Sequence, residues 1–161
     1  MLRGFSKGLT MLELAVAMTV VGILAAIAIP NYMNFMRDVR AAQAVADIQA
    51  VRAAVYLYFG DHQQWPPEEQ AGVVPVELTP YLPRGMVFFK SAYKLDYDNW
   101  MVNGGGGVTS RFPGTGVLVG VSVISGDREM IKAAKSLLGG QNTVNLSPLR
   151  TTLVVASETG F

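Results

Sequence analysis

The chain has 161 residues, of which 50% are hydrophobic and only 16% are charged, and its formal net charge is +1. The length allows one modest domain plus an extra segment, and the near-zero net charge does not predict a basic surface for nucleic acid. Cysteine is absent, which excludes disulfides and thiolate metal sites.

The first predicted element is an apolar helix over residues 9–29, in which Glu13 is the only charged residue. At ~1.5 Å per residue a helix of this length spans about 30 Å, the thickness of a bilayer core. Arg3 and Lys7 precede it, and this basic bias favours a cytoplasmic amino terminus. An ionisable side chain inside a membrane span is costly and indicates a functional residue, so Glu13 is the first candidate site.

A secretory signal peptide is the main alternative interpretation of this segment. Ala26-Ile27-Ala28 supplies a small-x-small cleavage site after Ala28. A glutamate in the apolar stretch and the length of that stretch both argue against it. A second alternative is that Glu13 only reaches the lipid headgroups from near the helix end and has no role.

Three features near the amino terminus resemble the signature of type IV pilins and type II secretion pseudopilins. They are Gly8, the run Leu-Thr-Met-Leu-Glu-Leu over residues 9–14, and the apolar run of residues 20–29 that ends at Pro30. The resemblance implies that residues 1–8 are a leader and that a membrane prepilin peptidase cuts after Gly8. Leu9, where phenylalanine is usual, then becomes the methylated first residue, and Glu13 becomes the fifth.

Cleavage after Gly8 would free a positive amine at Leu9, which can pair with the Glu13 carboxylate of the same or a neighbouring subunit. Such pairing offsets part of the cost of a carboxylate in lipid. Residues 9–30 are thus expected to be both membrane span and assembly helix. Pro30 cannot donate a hydrogen bond to the Ala26 carbonyl, at a cost of ~3 kcal/mol, and the resemblance implies that the helix loosens between Gly22 and Pro30 during assembly. A simple kink is the alternative.

The helix is predicted to continue from Asn31 to Gly60, a natural stop. At 100° per residue its apolar side chains form two stripes, although a helix on a small domain needs only one buried face. We assign the bulkier stripe to the subunit's own core and the alanine-rich stripe to neighbouring subunits. The core stripe contains Ala44, Ile48, Val51, Val55, Tyr58 and Phe59; the other contains Tyr32, Phe35, Val39, Ala42, Ala46, Ala53 and Leu57.

The remaining chain predicts a small, mainly antiparallel sheet with one further helix. The predicted fold class is therefore α+β, with residues 31–161 forming the amphipathic helix and the globular domain, and the resemblance implies the same, type IV pilin-like plan. A proline-rich loop over residues 61–84 is expected to contain a short helix at residues 76–82. Strands are predicted at residues 86–90, 93–97, 100–102, 117–124 and 151–156, a glycine turn at 104–107 and a helix at 127–138.

Catalytic chemistry is hard to find in this sequence. The lone His62 and the absence of cysteine do not fit a zinc site, so we expect no metal, no cofactor and no enzymatic activity. Asp96 and Asp98 alternate along a predicted strand and can be calcium ligands, but a solvated strand edge is the preferred interpretation. Trp65 and Trp100 are interpreted as core or loop anchors.

The sequence predicts a structural subunit of a type IV pilus or pseudopilus, polymerised through its amino-terminal helix. The expected partners are identical or related subunits, prepilin peptidase, a membrane assembly platform and, before assembly, the lipid bilayer; no direct contact with nucleic acid is expected. The expected location is the inner membrane in a single pass, then an extracellular or periplasmic filament. The alternatives are a minor pilin or adhesin, a type II secretion or DNA-uptake pseudopilin, and a membrane-anchored or secreted enzyme.

Overall fold

The computed structural model describes residues 10–101, 117–139 and 142–157. Helix α1 spans Met11–His62 and is followed by a short 3-10 helix, Val76–Leu78. The other elements are strand β1 (Lys94–Met101), strand β2 (Val117–Ile124), helix α2 (Arg128–Leu137), strand β3 (Thr143–Ser147) and strand β4 (Arg150–Ser157). This arrangement confirms the predicted α+β, type IV pilin-like fold. The expectations for residues 1–9 and for the turn at 104–107 concern residues outside those described.

The chain divides into two compact units, the first ending at Met36 and the second beginning at Arg37. In the first unit α1 stays helical through Pro30. Its large apolar side chains from Met11 to Phe35 are between 49% and 93% exposed. Burying one such side chain is worth ~1.5–3 kcal/mol, so this helix carries a large unused driving force for contact with lipid or protein.

In the second unit, one face of α1 packs against one face of the sheet. The predicted core stripe is confirmed over Ala44, Ile48, Val51 and Val55, which are buried, whereas Tyr58 and Phe59 are half-buried. The core also uses two small residues that the predicted stripe left out, Ala41 and Ala54. On the sheet, this face presents alternate residues of the three longer strands: Leu95, Tyr97, Val119, Val121, Val123, Leu153 and Val155.

The four strands are antiparallel and lie in the order β1-β2-β4-β3. Residues that face each other across the strands belong to the same core layer: Val121 of β2 lies opposite Tyr97 on one side and Leu153 on the other. Strands β1 and β3 therefore form the two edges of the sheet. The register of β2 and β4 shifts once, between Val119 and Gly120.

The outer edge of β1 is covered by two loop segments. The Gly72 N–H donates to the Leu95 carbonyl and the Leu95 N–H donates to the Phe88 carbonyl, both at 2.8 Å. Further along, the Asn99 N–H donates to the Glu68 carboxylate at 3.3 Å. Covering an edge in this way removes a template for unwanted strand pairing.

This shared edge explains why the predicted strand at residues 86–90 is wrong. The segment makes only an isolated bridge between Phe89 and Lys94, because residues 66–72 occupy the rest of the β1 edge. The predicted strands at 93–97 and 100–102 are one strand, β1, as far as Met101, and Val102 lies outside the described residues. Strand β3 was not predicted, because its only apolar side chains are Val144 and Leu146.

The predicted helix at 127–138 is confirmed as α2, and its start follows from a side-chain cap. The Asp127 carboxylate accepts the N–H groups of Glu129 (3.0 Å) and Met130 (3.3 Å), which satisfies donors that have no partner within the helix. The helix predicted at 76–82 shortens to Val76–Leu78.

Helix α1 ends two residues later than predicted, at His62 rather than at Gly60. Gln63 takes the left-handed conformation with φ of 54°, and its side-chain amide donates to the Gly60 carbonyl at 3.1 Å. A carbonyl at the helix end is thereby satisfied without a glycine in the position after the helix.

Asp96 and Asp98 form a buried ionic cluster, which corrects the expectation of a solvated strand edge. Both side chains contact the Arg150 guanidinium, Asp96 at 2.9 Å and Asp98 at 2.5 Å. Ser122 donates to Asp98 at 2.6 Å and lies 2.7 Å from the Thr152 hydroxyl. Arg150 belongs to β4, two strands away, so spacing along β1 alone did not reveal this partner.

Two carboxylates share one guanidinium in this cluster, and this predicts a pH dependence of stability. Burial raises the pKa of Asp96 to about 7, and the charge of Asp98 adds to the rise despite the nearby Arg150. The folded state then holds more protons than the unfolded state between about pH 4 and pH 7, so stability falls as the pH rises through that range. Asp96→Asn is expected to flatten this fall and to be at least as stable as the parent at pH 8.

Asp98→Asn is the matched control, because it removes the carboxylate that lies closer to Arg150. It is expected to cost about 3 kcal/mol in the free energy of unfolding, measured by denaturant titration of the full chain in detergent micelles. Parallel pH curves for the parent and Asp96→Asn would contradict this account of the cluster.

Candidate assembly surface

A reciprocal hydrogen-bonded cap at the start of α1 holds the Glu13 carboxylate. Glu13 Oε2 accepts hydrogen bonds from the Thr10 N–H and the Thr10 hydroxyl, both at 3.0 Å. The Glu13 N–H in turn donates to Thr10 Oγ1 at 3.2 Å. This is a capping box, which satisfies donors at a helix start, and the negative charge lies at the end of the helix that favours anions.

The sequence analysis missed Thr10 as a partner of Glu13. The spacing Thr-x-x-Glu immediately before an apolar run is the sequence signal of a capping box, and it was present at residues 10–13. The carboxylate is therefore hydrogen-bonded within its own subunit, and the described residues of this half of the helix, 10–36, include no Lys, Arg or His that could pair with it. Gly8 and Leu9, the predicted cleavage and methylation residues, lie outside the described residues.

Gly22 and Pro30, the next two predicted assembly residues, both lie in the exposed half of α1. A Cβ atom added at Gly22 would meet no atom within 4 Å, so the packing of a single subunit does not require glycine there. Pro30 lies inside the continuous helix, where its missing N–H leaves the Ala26 carbonyl without its usual helical partner. Both features weaken the helix locally.

The remaining predicted assembly residues lie on the side of α1 that faces away from the core. Ala42, Ala46 and Ala53 are exposed, and Val39 is 42% exposed. The other members of the predicted stripe are exposed too: Tyr32, Phe35 and Leu57. The alanine-rich stripe is thus exposed on a single subunit, and its contact with neighbouring subunits stays a prediction.

Polar contacts fix the second half of α1 on the globular unit, so that the stripe points in one direction. Arg37 pairs with Asp127 at 3.0 Å, and Asp47 accepts from Lys90 at 2.5 Å and also from the Tyr93 hydroxyl. Near the carboxyl end of the helix, the Tyr56 hydroxyl donates to the Val155 carbonyl at 2.5 Å.

Side chains that suggested chemistry in the sequence have structural contacts instead. His62 stacks on Tyr58 at a centroid distance of 4.3 Å, and Trp65 stacks on Phe59 at 4.1 Å, which confirms Trp65 as an anchor. Of the Trp100 side chain nothing is described. Within residues 10–101, 117–139 and 142–157, no group of three or more His, Cys, Asp or Glu side chains converges as a metal site.

Comparison with known proteins finds similarity to the same family that the sequence resembles. Residues 3–29 match the prokaryotic N-terminal methylation motif. The chain is 36% identical over 67 residues to the type IV major pilin protein PilE1 of Neisseria gonorrhoeae, covering 42% of this chain and 31% of the pilin. It is 34% identical over 71 residues to fimbrial protein EcpC of Eikenella corrodens, covering 44% and 46% of the two chains.

A third relative belongs to a secretion machine. The chain is 30% identical over 96 residues to the type II secretion system core protein G of Dickeya chrysanthemi, covering 58% of this chain and 63% of that protein. The chain spans about a third of the length of the first pilins it matches, and no solved structure matches it. In its amino-terminal motif and in its partial relatives, the chain is similar to type IV pilins and to a type II secretion pseudopilin.

Proposed function

We propose that this type IV pilin-like chain is a structural subunit of a type IV pilus or pseudopilus. In this proposal it is inserted in the inner membrane with its amino terminus in the cytoplasm. It is then cut after Gly8 by prepilin peptidase, methylated at Leu9 and polymerised through α1. The observation that carries the proposal is the exposed apolar part of α1, residues 11–35, whose only charge is held at the first turn by the Thr10–Glu13 cap.

Processing after Gly8 would supply the charge that Glu13 lacks. The leader contains Arg3 and Lys7, so the mature chain would have 13 − 2 = 11 basic residues against 12 acidic ones. Cleavage would also create an amine at Leu9, next to Thr10. A growing filament that places this amine near the Glu13 carboxylate of a neighbour would favour one axial register, because a misplaced subunit leaves both charges unpaired.

In this proposal the exposed apolar side chains of α1 are covered first by the bilayer and then by other subunits of the filament. Before assembly the bilayer covers residues 9–30, a stretch long enough to span its core. After extraction by a membrane assembly platform, neighbouring copies of the same helix replace the lipid. A backbone carbonyl that loses its helical hydrogen bond between Gly22 and Pro30 is costly in lipid. Inside a packed filament the cost is smaller, because the carbonyl can find another partner there.

A type II secretion pseudopilus is the second candidate, and one specific observation favours it. The match to the type II secretion relative extends over 96 residues and 63% of that protein, whereas the matches to the pilins and fimbrial proteins cover 60 to 71 residues and 31% to 46% of those proteins. Both candidates use the same processing and the same helix, so the experiments below test what the two share.

The first experiment separates the capping role of Glu13 from its proposed role between subunits. Thr10→Ala removes the two hydroxyl contacts of the cap but keeps the carboxylate and the backbone N–H that donates to it; it is expected to cost about 1 kcal/mol of local helix stability and to leave filament formation intact. Glu13→Ala is expected to be cleaved normally but to form no filaments when it is the only subunit. The measurement is the amount of subunit recovered in sheared filaments from cells.

Thr19→Ala is the matched control for the threonine change. The Thr19 hydroxyl only donates to the Ala15 carbonyl of its own helix, at 2.8 Å. Normal filaments from Glu13→Ala alone would remove the register role, and loss of filaments from Thr10→Ala would show that the cap is what matters.

The second experiment tests the alanine stripe. Ala42→Trp and Ala46→Trp place a bulky side chain on an exposed surface, so the subunit should fold with its stability unchanged within ~0.5 kcal/mol. The same variants should block filament formation, because close helix contact needs small residues. Ala42→Ser and Ala46→Ser, which keep the side chains small, should assemble normally. Wild-type yields of filaments from the tryptophan variants would contradict the assignment of this stripe to neighbours.

A further inference from the structure

A basic groove lies at the β3 edge of the globular unit, between α2 and the β3–β4 hairpin. It has a volume of about 410 Å³, and its charged lining residues are Arg128, Lys132 and Lys135. Lys132 pairs with Glu129 on its own helix at 2.7 Å. Across the described ranges, no acidic side chain lies within ion-pair distance of Arg128 or Lys135.

The chain that follows Glu129 adds no negative charge to this groove. Residues 130–157 contain no Asp or Glu, so the hairpin that forms the other wall brings no compensating charge. Asn145, Ser147 and Pro148 contribute that wall. The groove therefore presents excess cationic charge beside neutral polar groups.

An acidic segment, residues 61–83, lies along the opposite edge of the sheet, where its residues 66–72 cover β1. It contains Asp61, Glu68, Glu69 and Glu77 and no Lys or Arg, and the basic residue of β1 beside it is Lys94. Glu68, Glu69 and Asp96 line one depression on this edge. Glu69 and Glu77 are exposed, so their carboxylates are available to a partner.

The strand order β1-β2-β4-β3 places the two edge strands about 14 Å apart, since neighbouring strands lie ~4.8 Å apart, and the two surfaces lie outside these strands on opposite sides. A contact between two different surfaces of identical subunits is heterologous, and it continues from subunit to subunit unless the rotation closes a ring. Charges of opposite sign on opposite edges favour that contact and disfavour contact between two like edges.

We infer that the basic groove of one copy, lined by Arg128 and Lys135, receives the acidic segment of a second copy, which carries Glu69 and Glu77. The contact joins globular units laterally, and it adds to the α1 contacts that hold the filament. This inference rests on the proposed function, because it assumes that copies of the chain polymerise. It adds an electrostatic contact between neighbours that fixes which edge faces which.

Cross-linking in cells tests the contact directly, because the chain has no cysteine of its own. Gln70→Cys places a thiol in the acidic segment and Ser147→Cys places one in the groove, and neither change removes a charge. With a short bismaleimide, the double variant in assembled filaments should give a ladder of dimers, trimers and longer species. Each single variant alone should give none, and co-expression of the two single variants should give dimers only.

Charge reversal in the double-cysteine chain supplies the second readout. Arg128→Glu with Lys135→Glu leaves the Lys132–Glu129 pair in place and should lower the ladder about tenfold, since it converts attractions between neighbours into repulsions. Adding Glu69→Lys and Glu77→Lys should restore most of it. Failure of the swap to restore the ladder, in filaments that still form, would overturn the electrostatic pairing.

The outcomes distinguish this inference from the proposed function. Filaments without any ladder would overturn the contact and leave the filament role standing, whereas absence of filaments from the parent chain would contradict the filament role itself. Cross-linked dimers from either single variant would mean that like edges meet. Binding of a 30-base-pair DNA duplex that is lost in Arg128→Glu, with an unchanged ladder, would assign the groove to nucleic acid instead.

Discussion

Helix α1 carries more apolar surface than its own domain covers, and the proposed assembly depends on this excess. From Ala41 to Val55 one face of the helix fills the core under the sheet. From Met11 to Phe35 the helix is exposed on all sides, and beyond that point the stripe through Ala42, Ala46 and Ala53 stays exposed as well. A helix with such surfaces must be covered by lipid, by other copies, or by each in turn.

In the proposed filament, charged side chains determine how the apolar surfaces of neighbouring subunits align. Apolar surfaces slide past one another at little cost, so the apolar face of α1 does not by itself define an axial position. In the proposed filament the Glu13 carboxylate, which is hydrogen-bonded to Thr10, defines this position at the start of the helix. In the globular unit the charged groups are also localised: Asp96 and Asp98 share the Arg150 guanidinium, whereas the basic groove and the acidic segment remain open at opposite edges of the sheet.

Local patterns allowed much of this structure to be predicted from the sequence. The apolar run, the division of α1 into two stripes, strand β2 and helix α2 all depend on residues close together in the chain, and they appear as expected. What could not be predicted depends on partners far apart in sequence. Asp98 meets Arg150 across 52 residues, and the segment around Phe88 loses its place as a strand because residues 66–72 compete for the same edge. Strand β3 was missed because it has too little apolar content to stand out.

The central claim is that the chain enters a filament only after it has been cut after Gly8, and one measurement tests it most directly. Filaments sheared from cells are purified, and the intact mass and first residue of the chain are determined. The account predicts a chain that begins at methylated Leu9 and is recovered in the filament fraction. A chain that begins at Ile29 and is free in the medium would contradict it, because the helix that is proposed to build the filament would have been removed.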